Sequence, residues 1–183
     1  MTGQDRARRP ARVPPIGEFA GPEGARVHYL AGGPEASAPL VLLHGASGNL
    51  RDWRLSIFDR LAADRRVIAF DRPGFGHSDP APGQGWRLAE QGEALRAGLR
   101  ALGIRRYALV GHSWAGALVL DWALRHPREV TGLGVIAGAT MDWGGGLGLQ
   151  YRLAAAPLIG RTLSRLAPRM VRERMIRRAL ADI

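Results

Sequence analysis

Residues 107–116 read YALVGHSWAG, and this stretch restricts the chain more than any other. Tyr107 to Val110 is a short apolar run with aromatic and β-branched character, which predicts a buried strand. The Ala- and Leu-rich stretch 114–125 predicts a helix. Residues 111–115 must therefore turn from one into the other at once, with Ser113 at the tip. Such a junction presents a hydroxyl nucleophile on a strained backbone. The residues two before and two after the serine must be small, so that the helix can approach the strand. Gly111 and Ala115 occupy those places, and Gly116 follows.

Two further stretches carry the same rhythm. His44-Gly45-Ala46-Ser47-Gly48 follows the apolar run 40–43, and Asp71-Arg72-Pro73-Gly74-Phe75-Gly76-His77-Ser78 follows the apolar run 67–70. Taken in this order, the three motifs resemble the α/β-hydrolase superfamily over residues 18–139. The fold class expected is α/β, an open and mostly parallel sheet flanked by helices.

The rest of the pattern agrees with that class. Two short strands are predicted at 17–20 and 25–31, joined by the hairpin turn Gly21-Pro22-Glu23-Gly24. In the second, Val27 and Tyr29 share one face and His28 lies on the other, where it is expected to be exposed. Residues 40–43 read as a central parallel strand, apolar on both faces. Helices are expected at 51–63 and 86–102, the second carrying Leu88, Leu95, Leu99 and Leu102 on one stripe and stopped by Gly103. His126-Pro127 ends the helix after Ser113, and 130–137 is a further strand. Strands alternating with helices imply right-handed βαβ units. The resemblance implies that the 40 and 107 strands are central neighbours, with the 67 strand beside the first and the 130 strand beside the second.

The organisation expected is a disordered Arg- and Pro-rich leader over 1–15, a core over 16–140, and the start of a helical lid over 141–183. With 183 residues and no cysteine, one domain without disulfides or thiolate metal sites is predicted. No apolar leader and no membrane-length apolar run is present, and a cytoplasmic location is expected. The formal charge is +10, all of the basic side chains are Arg, and the charge gathers at the two ends. No nucleic-acid motif accompanies it, so solvated tails rather than a nucleic-acid partner are expected.

The chemistry follows from Ser113. Acyl transfer needs a nucleophile, a base, a group that orients the base, and two N–H donors for the oxyanion. One donor belongs to Trp114, the residue after the nucleophile. The resemblance implies that the other is the amide of Ala46, with His44, Gly45 and His112 shaping the pocket. His44 and His77 are expected to hold loops, and Asp71 to hold the turn after its strand. Asp142 is a candidate orienting acid or, alternatively, a lid hinge. Of the five histidines only His126 follows Ser113, and a rise of 1.5 Å per residue puts it roughly 20 Å away. It cannot be the base. The sequence thus reads as the front part of a serine hydrolase that stops inside the lid, without the last strands and the catalytic histidine. A pseudo-hydrolase that only binds, or one half of a split protein, are the alternatives. The substrate expected is a small ester, thioester or related acyl compound. No cofactor or metal is required, and no H-E-x-x-H spacing occurs. The apolar 130–137 strand is expected to form an open edge through which copies self-associate.

Overall fold

The computed structural model describes residues 13–35, 38–83 and 85–141. The strands are β1 (Glu18–Ala20), β2 (Val27–Gly32), β3 (Leu40–Leu43), β4 (Val67–Phe70), β5 (Tyr107–His112) and β6 (Val130–Ile136). They form one sheet in the order β1-β2-β4-β3-β5-β6. The β1–β2 and β2–β4 pairs are antiparallel and the others are parallel. Leu40 faces Val67 on one side and Ala108 on the other. The expected neighbours and the hairpin are therefore in place.

The helices are α1 (Arg51–Arg54), α2 (Phe58–Ala62), α3 (Leu88–Ala101) and α4 (Trp114–Arg125). They cover both faces of the sheet, as the doubly apolar central strands require. Val41, Leu43, Ile68 and Phe70 pack with Leu95, Leu99, Leu118 and Trp122 of α3 and α4. Their neighbours Leu42, Val67 and Ala69 point the other way, onto Trp53 and Phe58 of α1 and α2. The period of two along each strand thus sorts side chains between two cores.

The single helix expected over 51–63 is two short ones. Trp53 and Phe58 are both buried in the same core. Five residues apart on one continuous helix, they would point about 140° away from each other. Breaking the helix lets both rings reach the sheet, and it leaves Leu55 86% exposed. The Ser56 hydroxyl donates to the Asp52 carbonyl at 2.6 Å at the break, a local bond that competes with the helix ladder. Helix α3 begins at Leu88 rather than 86, with Trp86 exposed.

His28 is not exposed. It is 1% accessible, because the loop after β4 folds over that face of β2. Its amide donates to Ser78 Oγ at 2.8 Å, and its ring Nδ1 lies 2.7 Å from Asp71 Oδ2.

Candidate active site

Strand β5 runs two residues further than the apolar run suggested, to His112, and α4 begins at Trp114. The whole turn is made by Ser113, at φ 53° and ψ −118°. This is the first central position of a type II′ turn, which favours glycine. A serine held there stores backbone strain on the order of 1–3 kcal/mol. The surroundings hold it in place. The Ser113 amide donates to the Ile136 carbonyl at 2.9 Å, and its carbonyl accepts from Gly116 at 2.9 Å and Ala139 at 3.0 Å. A Cβ on Gly111 would lie 2.2 Å from the Ala115 carbonyl oxygen. The small residues around the serine are thus set by backbone contact, as the sequence argument requires.

The loop after β3 passes directly beside this turn. A Cβ on Gly45 would stand 3.0 Å from Ser113 Cβ and 3.2 Å from His112 Nδ1. Ala46 and Trp114 line one cleft of about 580 Å³, with Phe75, Trp86, Pro73 and Pro80 among its apolar walls and Arg72 and Gln91 among its polar ones. The structure therefore brings together Ser113, Trp114, Gly45 and Ala46. His112 is exposed, and its ring stands edge-on to Trp53 at 6.3 Å.

His44 is fully buried and works as a clamp. Nδ1 lies 2.9 Å from the Gly45 carbonyl, and Nε2 lies 2.9 Å from the Arg72 amide. A carbonyl can only accept and an amide N–H can only donate. The ring is therefore neutral, with its proton on Nδ1. Burial pushes its pKa down to about 4, against the opposing pull of the Gly45 carbonyl. Asp71 gathers the neighbouring loops: Oδ1 accepts from the Leu50 amide at 2.7 Å, and Oδ2 from the His77 amide at 2.8 Å. Burial pushes its carboxyl up, but the hydrogen bonds from His28, Leu50 and His77 outweigh this and hold it below the usual range. The His77 ring packs against His28 at 5.1 Å, so this residue ties the loop through its backbone rather than its ring.

His126 sits at the far end of α4 and pairs with Glu93 at 2.6 Å. Asp142 and the stretch expected to begin a lid lie outside the described residues, as does most of the expected leader. Among the described residues no group of three metal-ligating side chains occurs, and no helix is long and apolar enough to cross a membrane.

Sequence reasoning missed Arg72. It stands in the 71–78 motif with no expected role of its own, yet it is 1% accessible. Little in the local sequence signals this, because its hydrogen-bond partners are 19 to 28 residues away.

A mostly parallel sheet with helices on both faces, carrying a serine at a strained strand-to-helix junction beside a glycine loop, is the architecture of the α/β hydrolases. The chain belongs to the family described as the alpha/beta hydrolase fold, whose family model matches residues 38–156. It is 40% identical over 137 residues to the dihydrolipoyllysine-residue acetyltransferase component of the acetoin cleaving system of Pseudomonas putida, covering 75% of this chain and 35% of that one. It is 37% identical over 138 residues to 2-hydroxymuconate semialdehyde hydrolase of Pseudomonas sp. (strain CF600), covering 73% of this chain and 47% of that one. The solved 2-hydroxy-6-oxo-6-phenylhexa-2,4-dienoate hydrolase of Rhodococcus sp. strain RHA1 matches with a TM-score of 0.62 at 26% identity, over 71% of this chain and 48% of that one. The chain spans less than half the length of each.

Proposed function

We propose that this chain carries the nucleophile-bearing part of a serine hydrolase acting on an ester, thioester or related acyl bond. The observation that carries the reading is Ser113 at positive φ between β5 and α4, with Ala46 and Trp114 lining one cleft beside it. In the proposed reaction Ser113 Oγ attacks the substrate carbonyl as its proton passes to a base. The carbonyl oxygen gains the negative charge, and the Ala46 and Trp114 amides donate to it. Collapse expels the leaving group and leaves an acyl-serine, which water then hydrolyses. Removing one such donor lowers kcat on the order of 10²–10³-fold.

No histidine of this chain suits the role of base. His28 is committed to Asp71, His44 to its two backbone partners, and His126 to Glu93. His77 packs on His28, and His112 leans on Trp53. The proposal therefore assigns the base to sequence beyond residues 1–183, in keeping with relatives of which this chain covers less than half. Candidate Asp142 would orient it. Relatives named as hydrolases of 2-hydroxymuconate semialdehyde and of 2-hydroxy-6-oxo-6-phenylhexa-2,4-dienoate support a carbonyl substrate, because both named compounds carry a carbonyl group.

The test is fluorophosphonate labelling of the 183-residue chain beside the reading frame extended downstream. Labelling at Ser113 in the extended form, weak labelling in the short one, and loss of turnover in Ser113→Ala are expected. Absence of labelling in both would leave a non-catalytic binding module instead.

A further inference from the structure

Arg72 is a buried cation with no carboxylate partner among the described residues. Burial alone lowers its pKa to about 10, so it stays charged at neutral pH. Carrying such a charge into the interior is unfavourable unless hydrogen bonds compensate. Its donors show where that compensation comes from. Nε donates to the His44 carbonyl at 3.0 Å, Nη2 to the Gly45 carbonyl at 3.0 Å, and Nη1 to Gln91 Oε1 at 2.9 Å. The guanidinium carbon stands over two rings, 4.3 Å from the Phe75 centroid and 4.2 Å from the Trp114 centroid.

These contacts converge on the two residues whose amides matter in the proposed function. The Gly45 carbonyl and the Ala46 N–H belong to one planar trans peptide and point in opposite directions. Arg72 and His44 Nδ1 together hold that carbonyl, so they also fix the direction of the Ala46 N–H. The same guanidinium carries the Trp114 indole on its face. We infer that Arg72 is a positioning residue that sets the separation and orientation of the Ala46 and Trp114 amides, acting through the Gly45 carbonyl on one side and the Trp114 ring on the other. The catalytic consequence rests on the serine-hydrolase reading, whereas the geometric claim does not. Arginine suits the task because its rigid fork meets two carbonyls while its face stacks on a ring. A lysine keeps the charge but cannot do both.

The experiment uses Arg72→Lys and Arg72→Met in the 183-residue chain and in the extended frame. Backbone amide resonances of Ala46 and Trp114 are recorded in the short chain. Fluorophosphonate kinetics are split into inhibitor affinity and the rate of the covalent step in the form that labels. In Arg72→Lys the two amides are expected to shift while those of β1 and β2 stay, and the covalent rate to fall on the order of 10²-fold with affinity within about twofold. A purely structural role would instead lower the labelled fraction in step with unfolding and leave the folded fraction reacting at the parent rate. That result, or unmoved Ala46 and Trp114 amides in folded Arg72→Lys, overturns the inference. Should Arg72→Met not fold, Arg72→Lys decides alone. Absence of labelling in the parent would sink the serine-hydrolase reading, and the amide resonances would still judge Arg72.

Discussion

At the scale of single residues, His44 makes the sharpest prediction. Its neutral ring accepts from one amide and donates to one carbonyl, so protonation must break the bond from Arg72. The folded pKa of about 4 lies below the ordinary 6.5. Between those values the unfolded chain binds the extra proton, and stability rises with pH. The contribution is complete above about pH 6.5 and is lost as pH falls towards 4, for a total of roughly 3 kcal/mol. Ring titration by NMR should show His44 neutral at pH 5.5, and a midpoint near 6.5 in the folded protein would refute the clamp. The sequence exposed much at this scale. Ser113, Gly111 and Ala115 were legible because their roles depend on neighbours in the chain. His28 and Arg72 were not, because each is buried by a loop that the fold brings from far away in sequence.

Among the elements, the tie between α3, α4, β5 and the start of β6 is polar and shared. Trp122 Nε1 donates to the Tyr107 hydroxyl at 3.1 Å, which donates to Glu129 Oε2 at 2.8 Å. Arg96 meets both Glu129 oxygens at 2.7 Å, and Arg100 adds a bond at 3.0 Å. The Arg96 hydrogen bonds are the main reason that the Glu129 carboxyl is held down to about 2. Glu129→Leu removes the acceptor of the Tyr107 hydroxyl proton and of Arg96 Nε and Nη2 together, leaving Arg96 only its bond to Glu93, and should cost about 1–3 kcal/mol by denaturant melt at pH 7. An unchanged midpoint would show the network to be ornamental. Strand positions were readable from apolar runs, and the order of the four parallel strands from the family resemblance that the motifs carry. The break between α1 and α2 was not, because it answers to where Trp53 and Phe58 must point, which periodicity along one helix does not encode.

For the molecule as a whole, β6 is the outermost strand of the described sheet. It leaves Leu133 45%, Val135 42% and Ile136 48% exposed. An apolar edge of this kind recruits other strands. The 183-residue chain should therefore sediment above its 19.8 kDa monomer mass, and Val135→Lys should return it towards that mass. A parent chain that stays monomeric at high concentration would contradict this. The same strand supplies the Ile136 carbonyl that receives the Ser113 amide, and the residues just after it supply the Ala139 amide that caps the Ser113 carbonyl. The tension in the serine's backbone is thus anchored at the margin of the sheet rather than at its centre. Whatever settles on that margin bears on the turn that carries Ser113 without ever entering the cleft.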